Sequence, residues 1–201
     1  MTDLIDYLSR NFLSEARLLA AAGIDAPTLQ DLQVRRMAPL PAYRLRLAMH
    51  CDSFFGHYAE EHALHFYASA TPAWLAAVAA LGDEQAAFDL FACRHQARLH
   101  ALAPGAGADV AAAWASFLDG TYGLCTRSGL PEEIAAKEWA AGTIEAIIAP
   151  DGIDAGDEHE LVTLRHAVDT LDAASSPFAP HERERSSRRR LVDRVREQYR
   201  L

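Results

Sequence analysis

Apolar residues recur at helical spacing along most of the chain. Leu4, Ile5, Leu8 and Phe12 lie three or four apart and predict an opening helix. Ser14 is placed to cap a short helix through Leu19 that Gly23 ends, and Asp25 to cap the next, with Pro27 in its first turn. Pro39 and Pro41 break the pattern after Met37. Tyr43 to Ala70 reads as one broken helix or two, with Gly56 at the break. Thr71-Pro72 is a restart, with Thr as N-cap and Pro at the first helical position. Asp83 caps a long helix through about Leu102, Pro104-Gly105-Ala106-Gly107 is a loop, and Ala111 to Leu118 is helical. Gly120, Gly123 and Gly129 punctuate the next stretch. Pro131 opens a helix through about Ile148, ended by Pro150-Asp151-Gly152. Asp157 to Leu171 is helical, Ser175-Ser176-Pro177 is a loop, and Glu182 to Tyr199 is the final helix.

Strand signals are poor. Alternating β-branched runs are missing, and no Asn-Gly or Asp-Gly turn joins two of them. The pattern predicts an all-α fold: an N-terminal helix-turn-helix module over residues 1–46, packed on a multi-helix bundle over 47–201 that closes with an Arg-rich helix. A chain of 201 residues suits one domain, or one compact domain carrying a small module. Half the residues are hydrophobic and 23% are charged, enough to bury a core.

The net charge of −9 argues against a basic, nucleic-acid-coating protein, although a local basic patch is compatible with it. Cys51, Cys93 and Cys125 are far apart and form no C-x-x-C pair, so reduced thiols are expected rather than a disulfide framework or a cysteine-only zinc site. The N-terminus is acidic where a signal peptide would be basic. No apolar run approaches the roughly 18 residues that a membrane span needs. The expectation is a cytoplasmic protein without a membrane partner.

Residues 13 to 45 carry the most specific local pattern: helix, tight turn at Gly23, second helix after Asp25, then a Pro-rich exit. A helix-turn-helix needs that order. The segment resembles the N-terminal helix-turn-helix of the MerR regulators. Gly23-Ile24, Thr28-Leu29, Met37 and Pro39 fall at that family's turn, recognition helix and closing segment, and Tyr43-Arg44 at its wing, which here looks shortened. The resemblance implies a DNA-binding head using Thr28, Arg35, Arg36 and Arg44. The sequence departs from the family at Gln30 and Asp31, where Arg and Tyr normally face phosphates. Asp31 would face a polyanion unfavourably, so a fold retained for packing or another ligand ranks ahead of a DNA reader.

Candidate chemistry is spread along the chain. On the helix expected over residues 56–65, His57, Glu61 and His65 recur every four residues and share one face. Two imidazoles and a carboxylate suit Zn, Fe or Mn, or acid–base work by His57 and Glu61, but the same spacing arises on ion-paired surface helices. Cys125 has Arg127 nearby, which would favour a thiolate, yet a structural buried Cys fits the same sequence. Lys137 is the chain's one lysine and invites Schiff-base chemistry, while its acidic neighbours suggest a surface ion pair. Residues 182–201 hold eight Arg against four acids, +4 within a chain of −9. Arg127, Arg183 and Arg188 are candidates to bind an anionic substrate, against the alternative that the helix pairs with its own acidic body. Leu191, Val192, Val195 and Tyr199 form the stripe that should dock it.

Several unusual strings point further. Leu13 to Tyr43, Cys51 to His57, Tyr122 to Thr126, Pro177 to Arg183 and Ser186-Ser187-Arg188 resemble a bacterial family of unknown domain function whose members are labelled natural product biosynthesis proteins. The resemblance implies a role beside secondary-metabolite pathways but names no reaction and supplies no catalytic residues. Its strings contain His57, Cys125, His181 and Arg183, which strengthens the first three as catalytic candidates and Arg183 as an anion-binding one. Three readings are open. The first is a tailoring or accessory protein binding a small acidic or carrier-linked intermediate in a helical pocket. The second is a transcription regulator with a helical sensor or dimerisation domain. The third is a non-catalytic interaction protein. A homo-oligomer is compatible with each.

Overall fold

The computed structural model describes residues 3–149 and 158–201. Pro150-Asp151-Gly152, expected to end a helix, lies outside the described residues, as does Asp157. The chain opens with α1 (Asp3–Asn11), a short strand β1 (Phe12–Ser14), then α2 (Glu15–Ala22) and α3 (Ala26–Val34). Local chemistry sets these two helices as expected. Ser14 Oγ accepts the Arg17 N–H, and Gly23 at φ 67° closes α2 in the left-handed region where a Cβ would be strained. Asp25 then caps α3 through the Thr28 N–H at 2.9 Å.

The next segment overturns the all-α expectation. Tyr43 to Ala70 contains no helix. It forms β2 (Tyr43–Ser53) and β3 (Gly56–Ala68), a long antiparallel hairpin turning at Phe54 and Phe55. With β1 they make a three-stranded antiparallel sheet in the order β1-β3-β2. The physical reason is visible in β2. Tyr43, Leu45, Leu47, Met49 and Cys51 alternate with Arg44, Arg46, His50 and Asp52, a period of two that fits a half-buried strand. The alternation is written in Leu, Met, Cys and His rather than β-branched residues, and the turn lacks Asn-Gly, so both usual strand signals are silent. The residue-46 boundary falls inside β2. Far from being shortened, the hairpin after the turn-linked helices runs 11 and 13 residues in its two strands.

The rest is helical: α4 (Thr71–Val78), α5 (Glu84–Leu102), α6 (Val110–Leu118), α7 (Thr121–Cys125), α8 (Pro131–Ile147), α9 (Glu158–Ala174) and α10 (Arg194–Tyr199). A 3-10 turn at Arg183–Arg185 and a π-helical stretch at Arg189–Asp193 interrupt what the sequence suggested was one final helix. The expected stripe docks nonetheless: Leu191, Val192 and Val195 are buried against α8 and α9, with Tyr199 at the margin.

One apolar cluster links the N-terminal helices to the helical part. Leu18, Leu29, Leu32 and Met37 pack with Trp74, Phe91, Trp114 and Phe117. Trp74 is fully buried and its indole N–H donates to the Met37 carbonyl at 2.8 Å, so the polar end of the ring is satisfied. The Pro39–Pro41 exit lies against α6 and α7: the Leu40 N–H donates to the Leu118 carbonyl, and a Cβ on Gly120 would meet the Pro41 carbonyl oxygen at 2.8 Å. No helix among the described residues is long and apolar enough to cross a membrane.

A candidate ligand cavity beside His95 and Glu138

Helix α5 buries Ala87, Phe91, His95 and Leu99, a four-residue repeat in which one member is polar. His95 is fully buried and stacks on Phe91, ring centroids 5.7 Å apart. Its Nε2 lies 2.9 Å from Glu138 Oε2 on α8. The other carboxylate oxygen accepts the Tyr122 hydroxyl from α7. One carboxylate thus joins three helices. Burial, together with the hydrogen bond to Glu138, raises the Tyr122 phenol well above its ordinary value of 10.0, so it remains a neutral donor.

An ionised carboxylate only accepts, so a neutral His95 facing it carries its proton on Nε2. In that tautomer Nδ1 is a lone-pair acceptor. Nδ1 is buried and has no hydrogen-bond partner among the described residues. An unpartnered polar atom of this kind costs about 1–3 kcal/mol. His95 and Glu138 also line a cavity of about 510 Å³. Leu99, Ala135 and Trp139 supply apolar walls, Thr143 a hydroxyl, and the segment Ala106–Asp109 one side. Gly142 lies in the wall, and a Cβ there would meet nothing within 4 Å. Apolar walls with a few convergent polar groups are the usual make-up of a small-molecule site. Imidazole paired with carboxylate is also a general-base arrangement.

The residues singled out from sequence lie elsewhere. His57, Glu61 and His65 share a face, but of strand β3 rather than a helix. Four residues of strand span roughly 13 Å, too far for one metal ion to take all three. His57 instead pairs with Asp52 at 2.9 Å and His65 with Glu15 at 2.9 Å, while Glu61 is exposed. No group of three His, Cys, Asp or Glu that would hold a metal occurs among the described residues. Cys125 ends α7 and burial pushes its thiol up, the reverse of thiolate activation, with Lys137 opposing. Arg127 points to the Asp172 carbonyl rather than to Cys125. His181 is exposed, 3.7 Å from Glu182.

The two tail arginines are spent on structure. Arg183 Nε donates to the Phe178 carbonyl at 3.3 Å, and Arg188 pairs with Asp172 and donates to its carbonyl. For the DNA candidates, Thr28 is held by its cap, donating its hydroxyl to Asp25. Arg35 pairs with Asp31 and reaches the Gly82 carbonyl, and Arg36 pairs with Glu84 at 2.6 Å. Arg44 is exposed beside the Glu15–His65 pair at a smaller cavity.

Lys137 is buried rather than a surface ion-pair partner. Its Nζ donates to the Cys125 carbonyl at 3.3 Å and to Ser187 Oγ at 3.0 Å, and it lies over the Phe178 ring. Three of the unusual strings therefore meet on one ammonium as scaffold. Sequence reading offers His95 only as one more possible metal ligand and gives Glu138 and Tyr122 no role. The available signal was His95 itself, a polar residue at an apolar-stripe position between Phe91 and Leu99.

Among known proteins, the model of a family of unknown function, DUF6058, matches residues 73–200, a span containing every wall of the cavity. No curated protein and no solved structure matches the chain.

Proposed function

The chain belongs to the DUF6058 family, a family of unknown function, and from that premise we propose that it is a small-molecule-binding protein whose family region supplies the ligand cavity. The observation that carries this reading is the unpartnered Nδ1 of buried His95 in a residue that lines a cavity of about 510 Å³. Nδ1 is itself covered, so a ligand hydroxyl or amide N–H reaches it only where the surrounding wall gives way, while Trp139, Leu99 and Ala135 cover an apolar body. Glu138 and Asp109 also line the space, which favours an uncharged or cationic polar group over the acidic intermediate expected from the tail arginines. The resemblance to natural product biosynthesis proteins supports a finer reading. The ligand is then an intermediate of secondary metabolism, held by an accessory protein or altered by a tailoring enzyme with His95 as base.

The test is a thermal-shift screen of phenol- and amide-bearing fragments against the full chain. We expect members that raise the melting temperature of the native protein and lose that effect in Gly142→Leu, which fills the cavity from a position with open space. Circular dichroism checks that the variant folds. A panel without binders, or shifts that persist in both Gly142→Leu and His95→Phe, overturns the reading.

A second reading is a DNA-binding regulator with the helical part as sensor. The MerR-like segment supports it, as does the connectivity: α2 and α3 joined by a tight turn and succeeded by the β2–β3 hairpin. Charge ranks it lower. Helix α3 carries Asp31 and no basic residue, and Arg35 and Arg36 are engaged with acids. Mobility shift with duplex DNA at low salt tests it, because electrostatic affinity is greatest there. Absence of binding under those conditions removes it.

A further inference from the structure

The β2–β3 hairpin runs past the rest of the sheet. Strand β1 pairs only with Phe66–Ala68 of β3, so the outer hairpin is a two-stranded ribbon with both edges open. Every residue from Ala48 to Ala59 is exposed. The register makes the β2 row of one face apolar and leaves the β3 row of that face mixed. Leu47, Met49, Cys51, Tyr58 and Leu64 lie on one face together with the Glu60–His62 ion pair, continuing outward from Tyr43, Leu45 and Phe66, which pack on Tyr7, Leu8 and Phe12. Arg44, Arg46, His50, Asp52 and His57 lie on the other. Met49 and Tyr58 are about half exposed, and Phe54 at the tip is 97% exposed. An open edge beside an apolar face is a template for pairing with another strand. Residues 44–65 hold Arg44 and Arg46 against Asp52, Glu60 and Glu61, with no acid-free basic patch, so their charge suits neither an anionic lipid surface nor a nucleic acid.

We propose that β2 pairs edge to edge with β2 of a second copy of this chain, antiparallel about a two-fold axis at Met49. Strand β2 is self-complementary about that residue. Arg46 comes opposite Asp52 of the second copy and Asp52 opposite its Arg46, so two ion pairs form on the polar face. Leu47 comes opposite Cys51 of the second copy, and Met49 opposite Met49, on the apolar face. Directly opposed side chains of opposite charge, and opposed apolar ones, are the units that stabilise a sheet. The tip reaches the level of Tyr43 and Arg44 of the second copy. An axis one residue earlier would carry it to Ala42, which packs against the body. The result is a four-stranded ribbon whose two central strands carry an apolar row on one face, flanked by the Glu60–His62 pairs of the outer strands.

Sedimentation velocity across a dilution series, on the full chain, tests this. The native chain is expected to associate reversibly as a dimer. Arg46→Asp and Asp52→Arg each place like charges opposite one another at two symmetric positions, and each should weaken association roughly tenfold. The double variant restores the pairs and should recover it. In a Cys51→Ser, Cys93→Ser background, Met49→Cys should give a disulfide-linked dimer under mild oxidation, because the two-fold brings that position opposite itself. A chain that is monomeric at every concentration overturns the proposal. So does a dimer that survives both charge variants and leaves Met49→Cys uncross-linked.

Discussion

Tyr43 donates its hydroxyl to Glu182 Oε2 at 2.6 Å across 139 residues of sequence, joining the first residue of the hairpin to the Pro177–Arg183 segment. The same carboxylate oxygen accepts the Ala179 N–H at 3.2 Å. Beside this bond, the Tyr7 hydroxyl lies 3.2 Å from Ser176 Oγ, and Tyr7 and Tyr43 meet edge to face. The N-terminal sheet is therefore anchored by polar contacts to the C-terminal family region, in addition to the shared apolar core.

Tyr43→Phe removes one donor from a charged, largely covered acceptor and leaves the ring packed. It should cost about 1.5–3 kcal/mol in urea unfolding, in the range for hydrogen bonds to charged groups. Glu182→Gln keeps an acceptor and should cost less. A Tyr43→Phe variant as stable as the native chain would mean that the contact carries no net energy.

Alkaline pH should unfold the protein through its tyrosines. Burial raises Tyr43, Tyr122, Tyr7 and Tyr67 above the ordinary 10.0, helped at Tyr43 and Tyr122 by hydrogen bonds to carboxylates. A raised folded pKa means that the unfolded chain loses its protons first. This contribution is complete below pH 10 and falls as pH rises through the folded values. Ultraviolet titration at the phenolate band should show these four of the chain's six tyrosines ionising only as the far-ultraviolet signal is lost.

Acid should act at Asp172. Burial pushes its carboxyl up, but bonds to Arg196 and Arg188 outweigh that and hold it below its ordinary 3.8. Its contribution is present above the unfolded value and is lost as pH falls through the folded one. Asp172→Asn should cost about 1–3 kcal/mol at neutral pH. It should also flatten the loss of stability below pH 4, measured as denaturation midpoint against pH.

Thiol reactivity should divide two to one. Cys51 and Cys93 are exposed, whereas Cys125 is part-buried with its thiol pushed up by burial. A disulfide reagent at neutral pH should label two thiols quickly and the third on the timescale of opening. Fast labelling of all three would contradict this arrangement around Lys137.

The candidate site divides along the same lines as the fold. Cap and punctuation residues spoke plainly in sequence: Ser14, Gly23, Asp25, Asp83 and Pro131 each sit at the helix end their chemistry predicts. The four-residue interval of His57, Glu61 and His65 held no such information, because it gathers side chains on a helix and scatters them along a strand. Whether it meant helix or strand rested on the alternation in β2, which Leu, Met and His carry as well as Val or Ile would. His95 was legible only as a flaw in an apolar stripe.

The features that sequence alone dictated were therefore local: helix starts, stops, turns, and the stripe that docks residues 191–199. Tertiary structure decided which distant residues meet. Glu138 finds His95 and Tyr122, Lys137 finds Ser187, and Tyr43 finds Glu182, each across the packing of separate elements. The physical reason is range. Caps and periodicity act over one or two turns of backbone, while the cavity and its polar floor exist only once α5, α7 and α8 have been brought together by burial of their apolar faces.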